Sequence, residues 1–469
     1  MRIAVVGGGI TGLAAALRLL RCAPGAEVTL FEKAEHLGGE IHTERVDGFA
    51  IETGADSFLT RKARGVGLCK ELGLDGRLVA RQAQHAGTFV RHGGRLHPLP
   101  EGFTGMIPTH IDSLTESELL SPRGREALAD ELSMPVPSDL GEESIAKFVI
   151  RRFGREVYER IVEPLMAGIY AGDGRRLSLD ATFPQLRDLE RRYGSLIRGL
   201  VASREQGVVA AAPPFVSFAG GMGELIEHLE ARLCEAAIQT SVEVVALEPR
   251  AEGGFELVLS DGAGAEADAV ILATPAPSTA RITRAFDREL SDLHAAIAYG
   301  SSVTVNLAIR ERDLPRPVEG YGFVVPRVEG SDLVAVTVAS NKWPGRATEG
   351  HVLFRVFLRA HNGGDITGRT DDALVDAARR ELNETFGVSA APVLVRVGRW
   401  PVAVPQYTLG HTGRVALIRK RLTSHHGLFV AGAAYTGVGI PDCIASGEAA
   451  ADEALVQIGA ADREAPSKR

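Results

Sequence analysis

Cysteine is scarce in this chain: four residues in 469, at positions 22, 69, 234 and 443. So scattered a set offers no CxxC pair and no other metal-ligand spacing, which excludes a disulfide framework and a zinc centre; no metal is expected. Long apolar runs are missing too. No stretch reaches the roughly 18 apolar residues that a membrane-spanning helix needs, so no transmembrane segment is expected. Positive charge is not in excess either, with 52 Lys and Arg against 60 Asp and Glu and a net charge of −8. That balance argues against a nucleic-acid partner held by bulk charge. Internal repeats and low-complexity tracts are absent. What remains is the composition of a globular protein, 45% hydrophobic and 24% charged, with length for about three domains. A strand expected from residue 2 leaves no room for a signal peptide. The expected setting is therefore reduced and cytoplasmic, with peripheral membrane contact left open.

The N-terminus carries the most information. Arg2 to Val6 reads as a buried strand running into Gly7-Gly8-Gly9-Ile10-Thr11-Gly12, which fits G-x-G-x-x-G. An Ala/Leu-rich helix follows, then a strand from Val28 to Phe31 that ends on Glu32, twenty residues after Gly12. In such a unit the first glycine permits a tight turn. The second lets the backbone approach a pyrophosphate, and the third lets helix and strand pack closely. The helix start offers free N–H groups and a positive dipole end. Glu32 can accept hydrogen bonds from ribose hydroxyls and disfavours a 2′-phosphate, so FAD or NAD is expected rather than NADP. Lys33 is a candidate to cover the adenine edge.

Regular strand–helix alternation stops there. Residues 38–60 are glycine-rich and extended, and Gly38-Gly39 predicts another close backbone approach. Gly93-Gly94 predicts a hairpin over 88–99. From about 108 to 205 the chain reads as helical; Ile145, Phe148, Val149, Phe153, Val157, Ile161 and Leu165 form a core-facing stripe on one helix. Pro213-Pro214 marks a boundary. Beyond it a helix (224–235) and strands at 240–248, 255–260 and 268–273 are expected. Further strands are expected at 303–309, 322–325, 333–339, 352–358 and 427–431. A small-residue helix starts at Ile440. Before it, Gly437-Val438-Gly439-Ile440 reads as a tight turn that leaves free N–H groups at a helix start, where they can stabilise a negative charge.

Three separated segments thus return to one nucleotide theme, a pattern that resembles the amine-oxidase-like FAD superfamily. The matching residues are VVGGGITGLAAA, LFEK, LGGEIHT and IETGADSF at the N-terminus, LATPA at 272–276 and FVAGAAYTGVGIPDCIASG at 429–447. Within it, GIYAGD (168–173), Leu177-Ser178, Thr182-Phe183-Pro184 and Pro405-Gln406-Tyr407 resemble the porphyrinogen oxidases. Ile107-Pro108-Thr109 and SNKWP (340–344) are similar to their soluble bacterial branch, members of which oxidise coproporphyrinogen III.

The resemblance implies an α/β fold: a Rossmann-like FAD-binding domain (1–78, 214–275, 412–469), a mixed α/β substrate domain (79–107, 166–213, 276–411) and a helical subdomain (108–165). It implies that Gly54-Ala55-Asp56-Ser57 passes beside the flavin ring, that Val244 brings backbone groups to adenine, that Trp400 borders the flavin, and that the N–H groups of 437–440 face the flavin N1/O2 edge, where they stabilise the charge of its reduced form. Family members often carry Arg or Lys where this chain has Glu40, so the usual charge-assisted phosphate contact is not expected here. Val324 and Phe357 are candidates to sandwich the macrocycle. Arg61, Lys62, Arg91 and Arg95 are candidate partners for its carboxylates, and Thr88 stands where mitochondrial members place an arginine.

The implied reaction is a six-electron oxidation of a porphyrinogen, with hydride passing from a meso carbon to flavin N5, a pyrrole N–H proton lost, and O2 reoxidising the flavin to give H2O2. The cofactor carries that chemistry, so no catalytic triad or general base is expected, and His411 and His425-His426 read as structural or exposed. Coproporphyrinogen III is the expected substrate. The alternatives are protoporphyrinogen IX, an amine or carotenoid substrate, or a flavoprotein without catalysis. A monomer or homodimer is expected.

Overall fold

In this computed structural model, residues 1–100, 103–104, 107–108, 116–137, 141–205, 213–361 and 364–464 are described. Thr109, part of one motif above, and the end of the polar tail lie outside them.

The strand Arg2–Val6 is apolar at nearly every position because the sheet it centres is covered on both faces. Ile3 and Val5 face the helices Ile10–Cys22 and Ile440–Glu464, while Ala4 and Val6 face a core with Val244, Leu257 and Ile418. Five parallel strands form this sheet, in the order Ala237–Gln239, Glu27–Phe31, Arg2–Val6, Ala269–Leu272, Leu428–Val430. Chain segments far apart in sequence therefore meet side by side.

A second sheet has seven strands, in the order Leu394–Pro405, Tyr299–Arg310, His351–Leu358, Leu333–Val338, Gly322–Val324, Phe89–His92, Arg95–Pro98. Its residues alternate by face, as a strand demands. Val303, Val305, Phe354, Val356 and Val336 pack under the helix Asp371–Phe386. Thr304, Asn306, Arg355 and Phe357 occupy the opposite face.

The helices between Pro122 and Glu205 share one apolar core, from Leu119 to Ile197. The stripe from Ile145 to Ile161 is buried, but it does not lie on one helix. Gly154 adopts φ +86 and ends Ile145–Phe153; a new helical run starts at Arg155. One other expectation changes. The strand expected at 240–248 begins only at Val244 and runs to Pro249; Ala237–Gln239, just before it, is a separate strand in the five-stranded sheet.

Candidate functional site

The first half of the site is a cleft above the carboxyl ends of the parallel strands. The helix Ile10–Cys22 begins there with Gly9 as its cap and no side chain closing it. A Cβ added at Gly9 would meet nothing nearer than the Cα of Gly39, 3.9 Å away, so the turn faces open space. Gly38 N–H donates to Gly8 carbonyl at 2.8 Å, which brings the second glycine pair against the first. Glu32 holds the turn from the other side: its carboxylate accepts from Gly8 N at 2.6 Å and Ala34 N at 2.8 Å. Each oxygen keeps acceptor capacity for a hydroxyl. Val242 N donates to the Glu32 carbonyl at 3.0 Å, which brings the segment ending in buried Val244 to the same edge. Lys33 is exposed beside it.

At the far end of the cleft stands the start of the helix Ile440–Glu464. Here the expectation of free N–H groups needs correction. Gly437 N–H is taken by the Tyr407 hydroxyl at 2.8 Å, and Gly439 N–H by the Asp442 carboxylate at 3.3 Å. Val438 and Ile440 keep theirs for another acceptor. Asp442 also pairs with Lys62 at 2.5 Å, so that lysine is engaged. Glu40 has no side-chain partner among the described residues, and its side chain is exposed.

Residues 53–57 join this cleft to the second half of the site. Ala55 N donates to the Glu40 carbonyl at 3.0 Å, and a Cβ at Gly54 would collide with that same carbonyl, so only glycine fits. Three side chains of the seven-stranded sheet converge on the Thr53 carbonyl: Trp400 Nε1 at 2.7 Å, Thr304 Oγ1 at 3.2 Å and Arg355 Nη2 at 3.4 Å. Asp56 accepts from Lys342 Nζ at 2.8 Å and Trp343 Nε1 at 3.2 Å. Lys342 and Arg355 hold its carboxyl well below the usual range despite burial, which acts to raise it.

The second half is an apolar cluster on one face of the seven-stranded sheet. Val324 pairs with Ala335, Ala335 with Phe357, and Phe357 with Thr304, in one row across the sheet. Paired residues share a face, so small Ala335 lies between two larger side chains. Ala167 and Val334 complete the cluster. Thr304 in that row donates to the 53–57 loop, so cluster and cleft adjoin.

The basic candidates are not gathered there. Arg91 turns to the opposite face of the sheet and pairs with Glu381. Arg95 lies at the hairpin tip, 76% exposed and 3.9 Å from Glu118. Arg61 is exposed and has no ion-pair partner among the described residues. His411 is buried and stacked on Tyr407, with ring centroids 4.1 Å apart; His425 bonds to Asp287 at 2.5 Å, and His426 is exposed.

Sequence reasoning missed Arg355, Lys342, Thr304 and Tyr407. Alternation along 351–358 and 303–306 would have placed Arg355 and Thr304 on the same face as Phe357; Lys342 and Tyr407 stand inside motifs named above, but nothing local shows their partners.

Cleft and loop define a dinucleotide-binding protein, with an apolar cluster of the seven-stranded sheet beside its cofactor site. The description Flavin containing amine oxidoreductase matches residues 10–455. Coproporphyrinogen III oxidase of Bacillus subtilis (strain 168) is 33% identical over 468 residues, covering 97% of this chain and 98% of that protein. The protein of the same name from Mycobacterium leprae is 35% identical over 452 residues, covering 94% and 95%. A crystal structure from Exiguobacterium sp. 255-15, provisionally named a protoporphyrinogen oxidase, is 32% identical, with a TM-score of 0.85 and coverage of 98% and 99%. Reduced UDP-galactopyranose mutase shares the fold at 16% identity, with a TM-score of 0.72 over 97% and 95%. The chain belongs to the flavin-containing amine oxidoreductase family. It is an oxidoreductase, and a flavin is its cofactor. The cleft fits that group: the uncapped helix start and the open face of Gly9 suit phosphate oxygens, and Glu32 suits hydroxyls. Among the described residues no helix is long and apolar enough to cross a membrane, and no cluster of three or more metal-ligating side chains occurs.

Proposed function

We propose that this protein is an FAD-dependent oxidase that converts coproporphyrinogen III to coproporphyrin III in haem biosynthesis, with O2 as acceptor and H2O2 as product. The observation that carries the reading is the apolar row of Val324, Ala335 and Phe357, read here as the walls and floor of a slot, one strand away from the residue that holds the loop bounding the cofactor cleft. End-to-end similarity to proteins named coproporphyrinogen III oxidase supports the same substrate class.

Bound flavin supplies two-electron oxidation, so three rounds account for six electrons. The chain binds and orients. Gly7, Gly8, Gly9, Ile10, Thr11 and Gly12 carry the pyrophosphate; Glu32, Lys33 and Val244 take the adenosine end. Gly38 and Gly39 allow close approach. Gly54, Ala55, Asp56, Ser57 and Trp400 border the ring on one side, and Gly437, Val438, Gly439 and Ile440 on the other. Val324 and Phe357 flank an edge-on macrocycle standing over Ala335, and this apolar lining excludes water. Arg61, exposed and without an ion-pair partner among the described residues, remains the candidate for a carboxylate. The five-stranded sheet forms the core of the FAD-binding domain (1–78, 214–275, 412–469). The seven-stranded sheet forms that of the substrate domain, with the helical core beside it. The protein works in the cytoplasm, as a monomer or homodimer.

Adding coproporphyrinogen III to the holoprotein without oxygen should bleach the flavin absorbance, and air should restore it. An oxidised spectrum that persists under excess porphyrinogen rejects the reading.

A further inference from the structure

Arg355 ties the two halves of the site together and has no role in what is set out above. Its Cα lies in the middle of the strand His351–Leu358, on the face that carries Phe357. The residue is 5% exposed. One end of the guanidinium donates to the carbonyls of Thr53 and Gly54, the backbone that borders the cofactor cleft. Its carbon also lies over the Phe357 ring, 4.6 Å from the centroid, within reach of a cation–π contact. Phe357 in turn forms one wall of the slot.

The charge around Arg355 is unbalanced. Two carboxylates stand near it, Glu52 buried and Asp56 partly so, and each already has a cation of its own: Asp56 pairs with Lys342 at 2.8 Å, and Glu52 with Arg346 at 3.0 Å. Arg355 is therefore a third cation against two anions. Its Nε is fully buried with no acceptor among the described residues. A buried excess positive charge is costly unless an anion or an electron-rich group offsets it. The apolar slot offers no anion, and Arg355 instead leans on a π face and on two carbonyl dipoles. A negative charge arising in the adjoining cleft would be stabilised by it. Two-electron reduction of a flavin creates such a charge.

We infer that Arg355 is a positioning residue that couples occupancy of the slot to the reduction potential of the flavin. It raises that potential through its buried charge, and it senses the slot through the Phe357 ring. A flat ligand seated against Phe357 fixes that ring, and with it the guanidinium and the Thr53–Gly54 backbone. The inference rests on the reading of the slot as a macrocycle site.

The test uses holoprotein and the stable product, coproporphyrin III. The flavin midpoint potential is measured with and without the porphyrin in wild type, Arg355→Met and Arg355→Lys. Arg355→Met keeps apolar bulk and removes the charge. It should lower the potential by a tenfold shift in the reduced-to-oxidised equilibrium, about 30 mV for a two-electron couple. It should also abolish the porphyrin-induced change. Arg355→Lys should keep most of the potential and lose most of the porphyrin response, because an ammonium lacks the planar fork that stacks and bonds at once. A further variant, Phe357→Leu, covers the case in which Arg355→Met fails to fold. At saturating porphyrin, with binding checked by porphyrin absorbance, it should remove the porphyrin-induced change in potential; a wild-type change with porphyrin bound counts against the inference. If Arg355→Met has the wild-type potential and the wild-type porphyrin response, the inference is overturned. A wild-type protein that binds no porphyrin at all overturns the slot reading instead.

Discussion

The indole Nε1–H of Trp400 donates to the carbonyl oxygen of Thr53 at 2.7 Å. This bond fastens the edge of the seven-stranded sheet to the loop that borders the cofactor cleft. Replacing Trp400 by Phe keeps a ring and removes the donor. A buried hydrogen bond is worth about 1 kcal/mol, so FAD affinity should fall roughly fivefold. The visible flavin spectrum should also shift, because the ring's neighbour changes. Fluorescence of released FAD on dilution and the absorption spectrum measure both; wild-type values in each would remove Trp400 from the flavin's border.

The slot makes a paired prediction. Phe357→Ala removes one wall and should raise KM for porphyrinogen by about 1–3 kcal/mol of lost binding, while FAD is retained. Ala335→Leu fills the floor between the walls and should cost more, since the macrocycle can no longer enter. Steady-state kinetics with flavin content as the control decide it, and unchanged kinetics in both variants would place the substrate elsewhere.

Gly9→Val tests the cleft. The open space beyond Gly9 means the fold tolerates the added side chain, but the pyrophosphate does not. The expected protein is folded by circular dichroism and flavin-free. Full FAD occupancy would contradict the assignment of the turn.

Protonation of His411 gives a pH dependence with a definite sign. Burial lowers its pKa from 6.5 to about 4. The unfolded chain therefore takes up this proton first as pH falls. The residue's contribution to stability is complete above about pH 6.5 and declines down to about pH 4, by at most about 3 kcal/mol. Urea midpoints at pH 7 and pH 4.5 should drop less in His411→Asn than in wild type. Parallel drops would show that another group controls acid stability.

Much of the cofactor half was legible because its signals are local. A glycine-rich turn between an apolar strand and helix, with Glu32 after the next strand, fixes a geometry over some thirty residues. The alternation of Val303, Thr304, Val305 and Asn306 likewise marks a sheet with one covered face. The strand Leu394–Pro405 escaped because its pattern is weak, with Arg396 and Arg399 among its residues. Arg91 looked free in the sequence and is not, since Glu381 lies 290 residues away. The same holds for Gly437, whose N–H is claimed by Tyr407 from thirty residues upstream. Partners set by tertiary packing leave no mark near the residue they occupy.

The central claim is the substrate. Initial rates of porphyrin fluorescence and of H2O2 release, measured in air on the holoprotein with coproporphyrinogen III and protoporphyrinogen IX side by side, test it most directly. The account predicts turnover of coproporphyrinogen III at a clearly higher kcat/KM, with about three H2O2 per porphyrin, as two electrons per flavin cycle require. Preference for protoporphyrinogen IX, or no turnover of either by protein with its flavin bound, would contradict it.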